Sequence, residues 1–400
     1  MTRPGVRIGL VAGEPSGDIL GAGLMAALRA QCPDATFTGI GGQRMLACGL
    51  EPVADMDQLA VNGFRDPIVR LPALVQLLRR LNRHFRTECV DALVGVDFNV
   101  FNLILERGVK RRGIPTAHYV SPSVYAWREG RTRKIGRSAD VVLALYPFEP
   151  PLYERRRARA VFVGHPAADE IGLGDGSPAA RRAARIALGL PLDRVVLGVL
   201  PGSRMAEVKY LAHSFLAAVA RTRATFGGDP VVAVPTVSER LHAAMRAVAG
   251  AFPLDVRLVS GQSRLVIAAS DLVLVKSGTA TLEAMLLRRP MVVSYRMGSV
   301  GAAIFRAMST TKYVALPNIL AGRELVPELL QETATAANLA TALEGVWRRV
   351  HADSAYFDAC EAFHRQLRRG ADGQAAEAVL TLIGEKNQYL GGGSRPTPKM

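Results

Sequence analysis

Ser277-Gly278-Thr279, followed one helical turn later by Glu283, is a grouping that could hold a nucleotide. An apolar run from Asp271 to Val275 stops at these small residues, and a helix-compatible stretch opens behind them. A strand, a tight turn and a helix start leave backbone N–H groups unpaired and the positive end of the helix dipole aimed at the turn, which suits an anion. Ser277 and Thr279 can add hydroxyl donors. Glu283 would repel a bare phosphate but can accept hydrogen bonds from a ribose, so the combination points to a nucleoside diphosphate. No Lys follows the Gly as it does in ATP-hydrolysing P-loops, and ATP hydrolysis is not favoured. An ordinary strand–helix turn of an α/β domain would show the same residue types.

Other polar groups also stand where apolar runs end. Asp97 follows Ala92–Val96, and a carboxylate there can serve as a general base, with Asn99 and Asn102 near enough to orient it. Gly13, Glu14, Ser16 and Asp18 form a turn before a Gly- and Ala-rich helix. They could bind a ligand, or Ser16 or Asp18 could simply cap free N–H groups. Pro201-Gly202-Ser203-Arg204 ends another apolar run, with Glu207 one turn on; the Arg204 guanidinium fork suits a diphosphate. His118, Ser121 and Ser123 border a loop with Tyr125 and Trp127. No Gly-x-Ser-x-Gly elbow accompanies them, and His118 inside an apolar strand reads as a hydrogen-bonded core histidine. Asp55-Met56-Asp57 follows no clear strand and has no partner His or carboxylate, so no metal is expected.

The elements that must carry these groups alternate. Apolar strands at Val6–Ala12, Ala35–Ile40, Ala92–Val96, Thr116–Val120, Val141–Leu145 and Ala160–Val163 are separated by helical stretches. After Gly172–Pro178 the pattern restarts with strands at Val195–Leu200, Pro230–Val234, Val256–Val259, Leu272–Val275 and Met291–Tyr295. This spacing predicts two α/β, Rossmann-like domains facing a cleft, with ligands at the strand C-terminal ends. The expected division is 1–171, a linker at 172–180, a second domain at 181–345 and closing helices at 346–384, with a return to the first domain as one course for them. A disordered tail is expected at 385–400.

The chain has 400 residues and a formal net charge of +15. Its basic residues cluster in the first half, at Arg79, Arg80, Arg83 and Arg86, at Lys110–Arg112, around Arg128–Arg137 and at Arg155–Arg159. Such clustering attracts nucleic acid, anionic lipid or acidic substrates. Aromatic residues are sparse among these clusters, which favours lipid or phosphate over nucleic acid. Phe64, Ile68, Leu71 and Leu74 with Arg79, Arg80 and Arg83 suggest a membrane-facing stretch, Pro-broken at Asn62–Pro72; core packing is the alternative for its second half. Cys32, Cys48, Cys89 and Cys360 lack metal-ligand spacing and read as buried thiols of a reducing compartment. Neither a signal peptide nor a membrane span is expected.

Taken together, the motifs resemble the lipid A disaccharide synthase family, inverting glycosyltransferases of the two-Rossmann GT-B type. The resemblance runs from about Val6 to Ile383 and rests on VAGEPSGDILGAGLM (Val11–Met25), GIGGQRM (Gly39–Met45), HYVSPSVYAWREGR (His118–Arg131), LPGSRMAEV (Leu200–Val208), SGTATLEAML (Ser277–Leu286), SYRM (Ser294–Met297) and KYVALPNILAGRELVPELLQE (Lys312–Glu332). It implies that UDP-2,3-diacylglucosamine donates its sugar to 2,3-diacylglucosamine 1-phosphate (lipid X), giving a β-1,6-linked disaccharide 1-phosphate and UDP. It further implies a cytoplasmic enzyme peripheral on the anionic inner membrane, with no metal or cofactor and no nucleic acid; a second copy of the chain is carried as a candidate partner. By the same resemblance Asp97 is the base, and Ser203, Arg204 and Glu207 lie at the donor diphosphate. Ser277, Gly278, Thr279 and Glu283 form the phosphate and ribose loop. Tyr295, Arg296 and Met297 hold the uracil, and Asn318, Arg323 and Glu324 form a second loop facing the donor. Gly13, Glu14, Ser16, Asp18, Ser121 and Ser123 fall on the acceptor side. The chain departs from the family pattern at Asn99-Val100, where a Pro-Asp pair is usual, and at Lys276, where a small residue is usual. A paralogue or another GT-B UDP-sugar enzyme acting on a related lipid is the alternative.

Overall fold

The computed structural model describes residues 5–59, 67–122, 130–155, 158–298 and 312–391. Two compact units are distinguished, one formed by Met1–Pro166 with Leu367–Met400 and the other by Ala167–Gln366.

The first unit holds a parallel sheet of β1 (Arg7–Ala12), β2 (Thr36–Ile40), β3 (Leu50–Pro52), β4 (Ala92–Val96), β5 (Thr116–Tyr119), β6 (Val141–Ala144) and β7 (Ala160–Phe162). Their order is β3-β2-β1-β4-β5-β6-β7. β4 and β6 are buried along their whole length, as expected of parallel strands covered on both faces. On one face Leu24, Met25 and Leu28 of helix Pro15–Gln31 pack with Ala375, Ala376 and Val379 of helix Ala371–Gly391. On the other, Leu77, Leu81 and Phe85 of helix Pro67–Thr87 meet Phe101, Leu105 and Val109 of helix Asn99–Lys110. Each of the buried Leu, Met, Val and Phe side chains among these contributes about 1.5–3 kcal/mol.

The second unit repeats the plan with β8 (Val196–Leu200), β9 (Val231–Thr236), β10 (Asp255–Ser260), β11 (Leu272–Lys276), β12 (Met291–Tyr295) and β13 (Glu328–Leu330). The order is β10-β9-β8-β11-β12-β13, and all pairs are parallel. In both sheets the strand order reverses beside the first strand, between β1 and β4 and between β8 and β11. The helices on the two sides of each reversal cover opposite faces, leaving a crevice outside the strand C-terminal ends.

Three expectations are corrected. Of the segment expected to be Pro-broken, 62–66 lies outside the described residues, and the rest is helical from Pro67 through Pro72. Pro72, past the first turn, has no N–H to donate, so one intrahelical hydrogen bond is missing there. The final helix reaches Gly391, beyond the start of the expected tail. Cys89 is exposed and Cys48 half-buried, where buried thiols were expected, and all four cysteines are free.

Candidate functional site

In the second unit a cavity of about 350 Å³ lies at the reversal between β8 and β11. Gly202, Ser203, Arg204 and Glu207 line it from the β8 side, and Lys276, Gly278, Thr279 and Glu283 from the β11 side. Helices Met205–Arg221 and Thr279–Leu286 both start here, bringing the positive ends of two helix dipoles to one space.

The charges inside it are ordered. Glu207 Oε2 accepts hydrogen bonds from the backbone N–H of Ser203 at 3.0 Å and Arg204 at 3.3 Å, while its Oε1 pairs with Lys276 Nζ at 3.0 Å. Gly202 is required for this: its φ is +130°, and a Cβ there would stand 2.3 Å from Glu207 Oε2. Lys276 also lies 5.2 Å from the Tyr295 ring centroid. The departure at Lys276 therefore has a structural role, neutralising Glu207 and connecting the β11 turn to the end of β12. Among the described residues lining the cavity, Arg204 is the cation left to solvent, its side chain 79% exposed and 4.0 Å from Glu207. Glu283 accepts from Arg264 Nε at 3.2 Å, and Arg264 also pairs with Glu170 at 2.9 Å. Arg264 escaped the sequence reading, although it follows the end of β10 as Arg204 follows β8.

Two residues expected at the donor are engaged in the fold instead. Ser277 Oγ donates to the Val314 carbonyl at 3.1 Å and does not line the cavity. Asn318 is fully buried; its Nδ2 donates to Val326 O and Glu328 Oε1, and its Oδ1 accepts from the Leu325 and Val326 N–H groups. With every polar position used internally, Asn318 shapes the 322–326 loop and cannot face a ligand. Arg323 and Glu324 on that loop are exposed. Tyr295 ends β12, and Arg296 and Met297 follow it; all three lie outside the cavity lining, and the Met297 N–H donates to Gln331 Oε1 at 3.3 Å.

In the first unit Asp97 follows β4 and is half-buried. Asp97 and Phe98 have φ values of +49° and +47°, a left-handed pair. The Phe98 ring packs on Gly13, where a Cβ would come within 2.5 Å of it. The turn after β1 and the turn after β4 are thus in contact. Asn102 Nδ2 donates to Asp97 O at 2.8 Å and to Val11 O at 3.0 Å, pinning the two strand ends together. Asn99 Nδ2 reaches Asp97 Oδ1 at 3.3 Å.

Asn99 continues inward. Its Oδ1 accepts from His118 Nε2 at 3.0 Å, and His118 Nδ1 lies 2.7 Å from Glu106 Oε1. His118 and Glu106 are fully buried, and a proton lies between them. Burial pushes the Glu106 carboxyl up, against a smaller downward pull from His118 and Lys110. Gly95 makes room for it, since a Cβ there would stand 2.1 Å from Glu106 Oε1. His118 is a core histidine, yet it belongs to a line of contacts ending on Asp97. Replacing it with Ala leaves Glu106 buried without its partner. A loss of about 3–5 kcal/mol in a urea unfolding titration is expected.

Asp18 and Ser121 are also corrected as acceptor-side ligands. Asp18 is buried and accepts from the N–H groups of Gly42, Arg44 and Met45, capping the helix Gln43–Ala47. Ser121 is buried against Tyr153, its Oγ 2.7 Å from the phenol oxygen, and it also hydrogen-bonds Glu149. Glu14 and Ser16 remain exposed at the start of helix Pro15–Gln31. Ser123 lies outside the described residues.

Burial pushes the Glu149 carboxyl up to about 8. The folded state holds a proton that the unfolded chain releases near the ordinary carboxylate value. Glu149 therefore adds nothing to the pH dependence below about 4.5, and stability falls from there to about 8, with a limiting slope near 1.4 kcal/mol per pH unit. Glu149→Gln should flatten this decline, as read from unfolding midpoints across the range.

Of the proposed membrane stretch, Phe64 lies outside the described residues, as do the side chains of Ile68 and Leu71. Leu74 packs against the core cluster containing Leu77 and Leu81. Arg79, Arg80 and Arg83 are exposed. No helix among the described residues is long and apolar enough to cross a membrane.

The sequence model of a family described as lipid-A-disaccharide synthetase matches residues 8–379. A lipid-A-disaccharide synthase from Alkalilimnicola ehrlichii is 47% identical over 386 residues, covering 95% of this chain and 99% of that one. Another from Sodalis glossinidius is 46% identical over 380 residues, covering 94% and 98%. Among solved structures, UDP-GlcNAc 2-epimerase from Neisseria meningitidis bound to UDP-GlcNAc is similar at a TM-score of 0.59 with 11% identity, over 96% of this chain and all 100% of that one. MurG from Acinetobacter baumannii is similar at 0.55 with 13% identity, over 96% and 100%. At these identities the structural likeness speaks to fold alone, the GT-B class of two parallel-sheet α/β units.

Proposed function

The chain belongs to the lipid-A-disaccharide synthetase family, and from that premise we propose the following reaction and residue roles. It is a glycosyltransferase that forms the lipid A disaccharide. UDP-2,3-diacylglucosamine is its donor and 2,3-diacylglucosamine 1-phosphate its acceptor, and the β-1,6 link forms with inversion. The observation that carries the reading is the cavity where two helix starts, Arg204, Lys276 and Glu283 come together.

Asp97 takes the proton of the acceptor 6-hydroxyl. The hydroxyl oxygen bonds to the donor's anomeric carbon from the side opposite UDP, and the bonding pair to UDP leaves with the β-phosphate oxygen. The N–H groups at the start of helix Thr279–Leu286 and the Arg204 guanidinium meet the charge that develops there. Glu283, held by Arg264, accepts from the ribose hydroxyls. Tyr295, Arg296 and Met297 contact the uracil, with Arg323 and Glu324 as a second donor-facing loop. Glu14 and Ser16 lie on the acceptor side. The basic residues of the first unit hold the enzyme peripherally on the cytoplasmic face of the anionic inner membrane, each contributing about 1 kcal/mol near the surface.

Acceptor dependence tests the reading. UDP release from UDP-2,3-diacylglucosamine should require the acceptor lipid. Consumption or isomerisation of the donor at an equal rate without acceptor would contradict it.

A further inference from the structure

The helix Asn99–Lys110 has a second apolar face that the described residues leave uncovered. Phe101, Leu105 and Val109 enter the core, but Val100 is 80% exposed and Ile104 56% exposed. Positions 100, 103, 104, 107, 108 and 111 recur at helical spacing and form one wall of a groove of about 820 Å³, within the size range of small-molecule sites. The helix Gly130–Ser138 forms the facing wall, and Ile135 joins Val100, Leu103 and Ile104 as its apolar surface. The spacing of the two helices is fixed at the far end. There Lys110 Nζ binds Gly136 O at 3.1 Å, Ala139 O at 2.7 Å and Asp140 Oδ1 at 3.1 Å.

The rim of this groove is cationic. Arg107, Arg111, Lys134 and Arg137 are all exposed, and none forms an ion pair among the described residues. An apolar floor under four uncompensated positive charges fits an amphipathic anion. The described lining residues include no aromatic side chain on which a base could stack, so nucleic acid is disfavoured. The near end is closed by Asn99, whose amide contacts the Asp97 carboxylate. A ligand lying in the groove ends beside the residue read as the base.

We propose that this groove is the acceptor-lipid site: an acyl chain lies on Val100, Leu103, Ile104 and Ile135, and the phosphate is met by the cations of the rim. The proposal rests on the reading of the chain as a transferase to a diacylated sugar phosphate, with Asp97 as its base.

Two double variants test it, Val100→Ser with Ile104→Ser and Arg107→Ser with Arg111→Ser. All four side chains are exposed, so folding should persist, as an unchanged urea unfolding midpoint would show. In detergent micelles each variant should raise the KM for 2,3-diacylglucosamine 1-phosphate at least about tenfold, a change of about 1.4 kcal/mol, with the donor KM unchanged. Affinity for phosphatidylglycerol vesicles should match the parent chain in the Val100→Ser, Ile104→Ser variant, and in the arginine variant should fall by no more than the share of two surface cations. Inorganic phosphate should inhibit the parent chain far more weakly than the acyl-bearing acceptor binds.

An unchanged acceptor KM in both variants would overturn the groove alone. Lost vesicle affinity with an unchanged micellar KM would assign the face to the bilayer surface and also overturn it. Inhibition by free phosphate as strong as acceptor binding would reduce the site to an anion patch. A parent chain that forms no disaccharide would remove the underlying reading, and the groove with it.

Discussion

Asp97→Ala lowers kcat by about 10²–10⁴-fold while the affinity for UDP stays at the parent value. That range is what a positioned general base supplies. The geometry explains why the effect should fall on turnover. The carboxylate is held at the end of β4 by two successive left-handed residues, a conformation costing on the order of 1–3 kcal/mol for each non-glycine residue. Asn102 sustains it through the Asp97 and Val11 carbonyls, and Asn99 fixes the carboxylate itself. Asp97→Asn keeps the size and one acceptor oxygen but cannot take a proton, so it should fail nearly as badly as Ala. Steady-state rates with saturating donor and acceptor, together with calorimetric UDP titration, check both variants. An Asp97→Asn variant turning over at close to the parent rate would remove Asp97 as the base.

Arg204→Ala should cost about 10²–10³-fold in kcat, the usual consequence of removing one charge-stabilising donor, and should weaken the donor as well. Lys276 is neutralised by Glu207 at 3.0 Å, whereas Arg204 stands 4.0 Å from that carboxylate with its side chain 79% exposed. A diphosphate entering the cavity therefore finds Arg204 as the readily available cation of the two. Arg204→Lys should recover part of the loss, since it restores the charge without the planar fork. Folding stability should change by less than about 0.5 kcal/mol, because the side chain is at the surface. Parallel measurement of kcat, donor KM and the urea midpoint separates this outcome from a structural one.

The sheet cores were legible because parallel strands covered on both faces appear as unbroken apolar runs, of which Ala92–Val96 and Val141–Ala144 are clear cases. The edge strands Leu50–Pro52 and Glu328–Leu330 were not, as three residues carry no periodicity. At the site, placing polar groups after strands located Asp97 and Arg204 at the two switch points. It did not reveal which of those groups the fold itself consumes. Asp18 bonds to N–H groups 24 to 27 residues away, and Ser277 to a carbonyl 37 residues away. Lys276 acquires its meaning only when β11 lies beside β8. The Glu106 partner of His118 had a usable signal: it falls on the same buried helix face as Phe101, Asn102, Leu105 and Val109, where a lone carboxylate requires a partner.

The central claim is tested most directly by incubating the chain with UDP-2,3-diacylglucosamine and 2,3-diacylglucosamine 1-phosphate in detergent, with mass spectrometry of the lipids and NMR of the new anomeric centre. The account predicts tetraacyl disaccharide 1-phosphate and UDP in equal amounts, with a β-1,6 linkage. A folded, UDP-binding sample that yields no disaccharide, or one whose new linkage is α, would contradict it.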